Sequence, residues 1–109
     1  MFVTVKSYRL GLGVSVANQR LTRELNVNGV LILNVKPGST ADKADIRGTK
    51  QVWEGLILGD IIQAVNGKEI KGYNTLRDEI KRCQVGKFVN LTLNHDNSRI
   101  EVPVCLEAQ

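Results

Sequence analysis

The sequence predicts an α+β fold, mainly β: five or six short strands curled around one core and capped by two α-helices. Three observations carry this expectation. Apolar and polar residues alternate over short stretches, the period of a half-buried strand. Two segments open on Ser or Thr followed three residues later by Asp, the signature of a helix N-terminus. The pair Asn66-Gly67 lies between two strand-like runs, where both positions tolerate positive φ and form a tight hairpin. The 109 residues make one domain, 1–109, with its core over about 9–107, because this length closes one hydrophobic core and not two.

In chain order, Leu12, Val14 and Val16 alternate with Gly13, Ser15 and Ala17, which predicts a first strand. Gly29 to Val35 is apolar on both faces and reads as an interior strand, broken by Lys36-Pro37-Gly38. Ser39 to Asp42 forms a capping box that opens a short helix, with Ala41, Ala44 and Ile46 inward and Gly48 as its stop. Residues 47–58 have no clean period and read as a loop that carries Trp53, a lid over the core edge. Leu58-Gly59-Asp60 is a turn, Ile61 to Val65 a strand, and Lys68 to Ile70 the return from the hairpin. Thr75 to Asp78 is a second capping box; its helix runs to about Gln84 with Leu76, Ile80 and Cys83 on one face, and Gly86 is its left-handed end. The chain closes on a hairpin: Val89, Leu91 and Leu93 alternate with polar residues on one arm, and Ile100, Val102, Val104 and Leu106 alternate with Glu101, Pro103, Cys105 and Glu107 on the other. Pro103 cannot donate to a ladder, so this last strand has a free edge. The sheet buries Val14, Leu31, Leu33, Ile61, Val65, Ile80, Leu91 and Val102 together.

Composition removes several function classes. Hydrophobic residues are 42% and charged residues 24%, an ordinary globular balance. No apolar run approaches the ~20 residues of a membrane helix. The start, Met1 to Lys6, is too short and mixed for a signal peptide and reads as a strand cut from something upstream. The net charge of +4 comes from scattered cations, and with aromatics at 5% the stacking surfaces of nucleic-acid binders are scarce, so no nucleic acid is expected. Cys83 and Cys105 are too few for a disulfide scaffold and fit no zinc spacing; no metal and no cofactor are expected. His95, Asp96 and Ser98 have the composition of a catalytic triad, but they share one tight turn and are expected to be solvated there. Gly11 and Gly13 lack the third glycine and the following helix of a dinucleotide site. A glycine turn opening directly into a strand can instead hold an anion on successive backbone N–H groups, and a peptide's terminal carboxylate held there would run on as an added strand. The free edge would be residues 14–17, facing the second helix. The same spacing also suits a plain glycine turn that holds nothing.

Taken together, Leu12-Gly13-Val14, Gly29 to Leu33, Pro37 to Ile46, Leu58 to Ile62, Val65 to Ile70 and Thr75 to Arg77 resemble the PDZ family, and its HtrA/Deg serine-protease subgroup in particular. The run LGDIIQAVNGKEI is the most specific part. The resemblance implies a partly open β-barrel with two helices and a non-catalytic, peptide-binding module. Its carboxylate-binding loop would be the amides of Leu12, Gly13 and Val14, with Leu10-Gly11-Leu12 as an overlapping match. Its groove would be Val14, Ser15, Val16, Leu76 and Ile80, with an apolar pocket lined by Leu12, Val14, Leu76 and Ile80. No histidine opens the second helix, which implies apolar ligands rather than a Ser or Thr two residues before the terminus. The implied partners are peptides or unfolded proteins with apolar C-termini and a protease domain of the parent chain; the isolated domain is expected to be a monomer. The implied compartment is periplasm-like or organellar, chloroplast included. A PDZ adaptor without a protease is the alternative.

Overall fold

The computed structural model describes residues 7–10, 13–17, 19–24, 28–95 and 97–106. Along them run β1 (Ser7–Leu10), β2 (Val14–Ala17), α1 (Gln19–Glu24), β3 (Val30–Val35), α2 (Thr40–Lys43), β4 (Lys50–Val52) and β5 (Gly55–Ile57). There follow β6 (Ile61–Val65), β7 (Lys68–Glu69), α3 (Tyr73–Lys81), β8 (Phe88–His95) and β9 (Ser98–Cys105). The main sheet has the order β1-β2-β3-β6-β8-β9, with β7 on β6; β4 and β5 form a separate hairpin. All pairs are antiparallel, and the sheet stays open. This is the mainly β, α+β arrangement expected, with β1, α1 and the β4–β5 hairpin in addition.

Alternation builds the core, and two register shifts redirect it. Val14 and Val16 of β2 are buried against Val30 and Ile32 of β3, Ile62 and Val65 of β6, and Leu91 and Leu93 of β8. Each such side chain contributes about 1.5–3 kcal/mol by leaving water. The register slips between Ser15 and Val16, and again between Ile62 and Ala64. A slip of one residue exchanges the faces of a strand. That is why Val30 and Ile32, rather than Leu31 and Leu33, supply the central cluster from β3. Leu33, Ile61 and Val102 are half-buried, and Leu31 is fully buried outside the cluster.

The helix starts obey different rules. Ser39 caps α2: its hydroxyl accepts from the Asp42 amide at 3.2 Å, while Asp42 reaches back to the Gly38 amide at 2.9 Å. The helix ends at Ala44, and Asp45 takes φ 61. Gly48 is needed elsewhere, because a Cβ there would stand 2.7 Å from the Leu33 carbonyl oxygen. The second capping box does not form. Helix α3 starts two residues before Thr75, behind an extended Gly72 with no side-chain cap. Starting there brings Tyr73 onto the core beside Leu76 and Ile80. The helix ends at Lys81, and Gly86, at φ 89, turns the chain further on.

Three further turns fix the frame. Asn66 (φ 50) and Gly67 (φ 85) make the expected hairpin, locked by the Asn66 side chain accepting from the Asn90 amide at 2.9 Å. The Gly59-Asp60 turn is a junction: Asp60 gives its carbonyl to the Ile32 amide and its carboxylate to the Arg47 amide. From this junction the β4–β5 hairpin projects outward. Trp53 at its tip is fully exposed, so it does not cover the core edge as expected; the three-residue strands carry it clear of the domain. At the far end of the sheet, β9 is an edge strand, as Pro103 requires.

Candidate functional site

Gly13 and β2 form the frame of the site. Gly13 has φ 79, a conformation that glycine adopts without strain, and it turns the chain directly into Val14 at the start of β2. The Gly13 carbonyl accepts from the Lys36 amide at 2.8 Å and therefore faces β3. In a planar trans peptide the N–H points opposite to the C=O. The Val14 N–H thus faces the other edge of β2, and by alternation so do the N–H and C=O of Val16.

That edge is not free. Strand β1 pairs with it over its whole length, Ser7 with Ala17, Tyr8 with Val16, Arg9 with Ser15 and Leu10 with Val14. Strand β3 holds the opposite edge. The expectation of an open edge at residues 14–17 is corrected on this point. Alternation predicts the faces of β2 but gives no sign of which segment pairs with it.

Of the residues singled out from the sequence, Leu12 lies outside the described residues. Val14, Val16, Leu76 and Ile80 come together in one buried cluster, and Ser15, on the opposite face, is half-buried. Two neighbours on α3 that the sequence reading does not single out join them. Tyr73 packs against the same cluster, and the Arg77 guanidinium lies over its ring at 5.8 Å. The Arg77 Nε is buried without a hydrogen-bond partner. The i, i+4 spacing of Tyr73 and Arg77 was the available signal, hidden by placing the helix start at Thr75.

The arrangement offers backbone groups and apolar side chains rather than reactive ones. Of the three turn residues, Ser98 is exposed as expected, Asp96 lies outside the described residues, and His95 is only partly exposed: its Nδ1 lies 2.7 Å from Oδ1 of the buried Asp60. A carboxylate only accepts, so Nδ1 carries the proton. Both oxygens of Asp60 are engaged in structural bonds, one with His95 and one with the Arg47 amide. Among the described residues, no three His, Cys, Asp or Glu side chains are placed to hold a metal, and both cysteines are free thiols. No described helix is long and apolar enough to cross a membrane.

Comparison with known proteins agrees with this geometry. The PDZ domain family model matches residues 10–106. Protease Do-like 1, chloroplastic, of Arabidopsis thaliana is 34% identical over 97 residues, which is 88% of this chain and 22% of that protein. Protease Do-like 8, chloroplastic, of the same organism is 35% identical over 104 residues, 94% of this chain and 23% of that protein. The chain thus spans between a fifth and a quarter of these relatives. The crystal structure of the HtrA3 PDZ domain bound to a phage-derived ligand, FGRWV, superposes with a TM-score of 0.66 at 20% identity, covering 95% of this chain and 88% of that one. The HtrA-type protease AlgW with decapeptide superposes at 0.62 and 15% identity, covering 96% and 30%. The resemblance to the HtrA/Deg proteases read from the sequence is thereby borne out.

Proposed function

The chain belongs to the PDZ domain family, and from that membership we propose that it captures peptides with free apolar C-termini by strand addition along β2, and catalyses nothing itself. The carboxylate is held by the amides of Leu12, Gly13 and Val14. The peptide backbone pairs with Val14 and Val16, with Ser15 on the opposite face of the strand, and the last side chain enters between Val14, Leu76 and Ile80. The single observation that carries this is the Gly13 turn, whose peptide plane aims the Val14 N–H away from β3. The buried apolar walls on β2 and α3 support apolar ligands. The relatives are named as proteases, which supports a role in holding substrates or regulatory peptides for a protease domain. A few amide contacts, ladder bonds and one buried side chain give micromolar affinity, on the order of 7–8 kcal/mol, since ordering a flexible peptide consumes much of the contact energy.

The test is a ¹⁵N-HSQC titration with the peptide FGRWV and with its C-terminal amide. Shifts at Gly13, Val14 and residues 76–80 that disappear on amidation are expected. Shifts that survive amidation would replace carboxylate capture by recognition of internal segments. No shift with either peptide at millimolar concentration would overturn the reading. A folded Gly13→Val chain with unchanged affinity would remove the loop from the site.

A further inference from the structure

Resting on that reading, we propose that β1 is an internal competitor for the capture site: the chain's own segment Ser7–Leu10 holds the β2 edge that a ligand must take. The argument is one of direction, register and valence. Strand β1 runs antiparallel to β2, with Leu10 opposite Val14. A peptide whose carboxylate arrives at the Gly13 turn and whose backbone pairs with β2 runs in the same direction. The Val14 N–H, turned away from β3, meets the backbone of Leu10. The Leu10 carbonyl therefore stands where the terminal carboxylate would be received. Two residues further, Tyr8 faces Val16, the next position whose N–H and C=O leave β2 on this side.

A strand has two edges, and β3 holds the other one. Ligand and β1 are thus mutually exclusive. The connection between them is residues 11–13, so β1 competes intramolecularly, at an effective concentration on the millimolar scale of short links. An external peptide sees only the fraction of molecules in which β1 has left the edge, and its apparent affinity falls by that fraction. The linkage is reciprocal: capture releases β1, and anything that draws β1 away strengthens capture.

The experiment uses the 109-residue chain and two proline variants. Tyr8→Pro removes an amide that faces Val16. Arg9→Pro removes one that faces away from β2, as an edge strand tolerates. Amide hydrogen exchange at Val14 and Val16 reads the pairing with β1, and titration with FGRWV reads the competition. The expected result is fast exchange at both valines in Tyr8→Pro alone, together with about tenfold tighter peptide binding than in the parent chain or Arg9→Pro. Equal affinity in all three chains, with binding present, overturns the competition and leaves peptide capture standing. Equal exchange at Val14 and Val16 in the parent and Tyr8→Pro overturns it as well. If none of the three binds the peptide, the capture reading falls and this proposal with it, whatever the exchange shows.

Discussion

The His95 imidazole donates from Nδ1 to the buried carboxylate of Asp60 across 2.7 Å, tying the end of β8 to the turn before β6. The second Asp60 oxygen accepts from the Arg47 amide at 3.1 Å, so one side chain fixes both sides of the junction. Asp60→Ala leaves that amide without its partner and should cost about 2–3 kcal/mol. His95→Ala should cost about 1 kcal/mol and leave the FGRWV response intact, because the pair is structural. Urea denaturation measures both. A stability of Asp60→Ala within experimental error of the parent would remove the junction from the account.

A second pair sets the response to acid. The Lys68 ammonium lies 2.7 Å from Glu79 Oε1, with Arg82 at 3.5 Å. The hydrogen bond from Lys68 holds the Glu79 carboxyl below its ordinary value of 4.5, against an opposing effect of desolvation. A carboxyl whose pKa is depressed on folding binds fewer protons in the native state. Its stabilisation is present above the unfolded pKa and is lost as pH falls through the folded value. The parent chain should therefore lose more stability than Glu79→Gln between pH 6 and pH 3. Parallel denaturation curves for the two chains over that range would show that the pair has no such linkage.

Close backbone contact predicts a third effect. A Cβ on Gly59 would stand 2.5 Å from the Gly48 carbonyl carbon and 2.6 Å from the Arg47 carbonyl oxygen, atoms that cannot rotate away. Gly59→Ala should destabilise by about 3 kcal/mol, the upper end of overpacking. Gly67→Ala meets open space and carries only the strain of φ 85, about 1 kcal/mol. If thermal unfolding ranks the two variants in the opposite order, backbone approach does not govern the junction.

Trp53 is the one tryptophan in the sequence and is fully exposed. Its emission in the native protein should already be that of indole in water and should not shift on unfolding. Trp53→Ala should change stability by less than about 0.5 kcal/mol. A blue-shifted native emission would mean that the hairpin tip folds back onto the domain.

Much of the fold was legible because its signals are local. Asn66-Gly67 states a turn by backbone preference alone, and Ser39 with Asp42 states a helix start. The runs in β2, β8 and β9 state strands by their period. What the sequence hid depends on contacts made at a distance. The slip at Ile62 and Ala64, which sets which face of β6 is buried, comes from pairing with β8. The start of α3 at Tyr73 follows from packing against the core, which outweighed the capping preference of Thr75. The partner of His95 lies 35 residues away, and the segment on the β2 edge left no mark in the residues of β2. Of the candidate site, the side chains of Val14, Val16, Leu76 and Ile80 could be read from periodicity, whereas the occupancy of the edge could not.

The position of Pro103 bears on how copies of this molecule avoid one another. Asn90, its partner on β8, directs both its N–H and its C=O to Asn66, so the backbone of Pro103 faces outward from the sheet. On that outer line proline contributes no donor. Two residues on, the outward carbonyl of Cys105 is already taken by the Thr40 hydroxyl at 2.7 Å. An incoming strand from a second molecule would find one hydrogen bond missing and another occupied. Edge-to-edge polymerisation, the hazard of every open sheet, is thereby disfavoured along the Pro103–Cys105 part of β9.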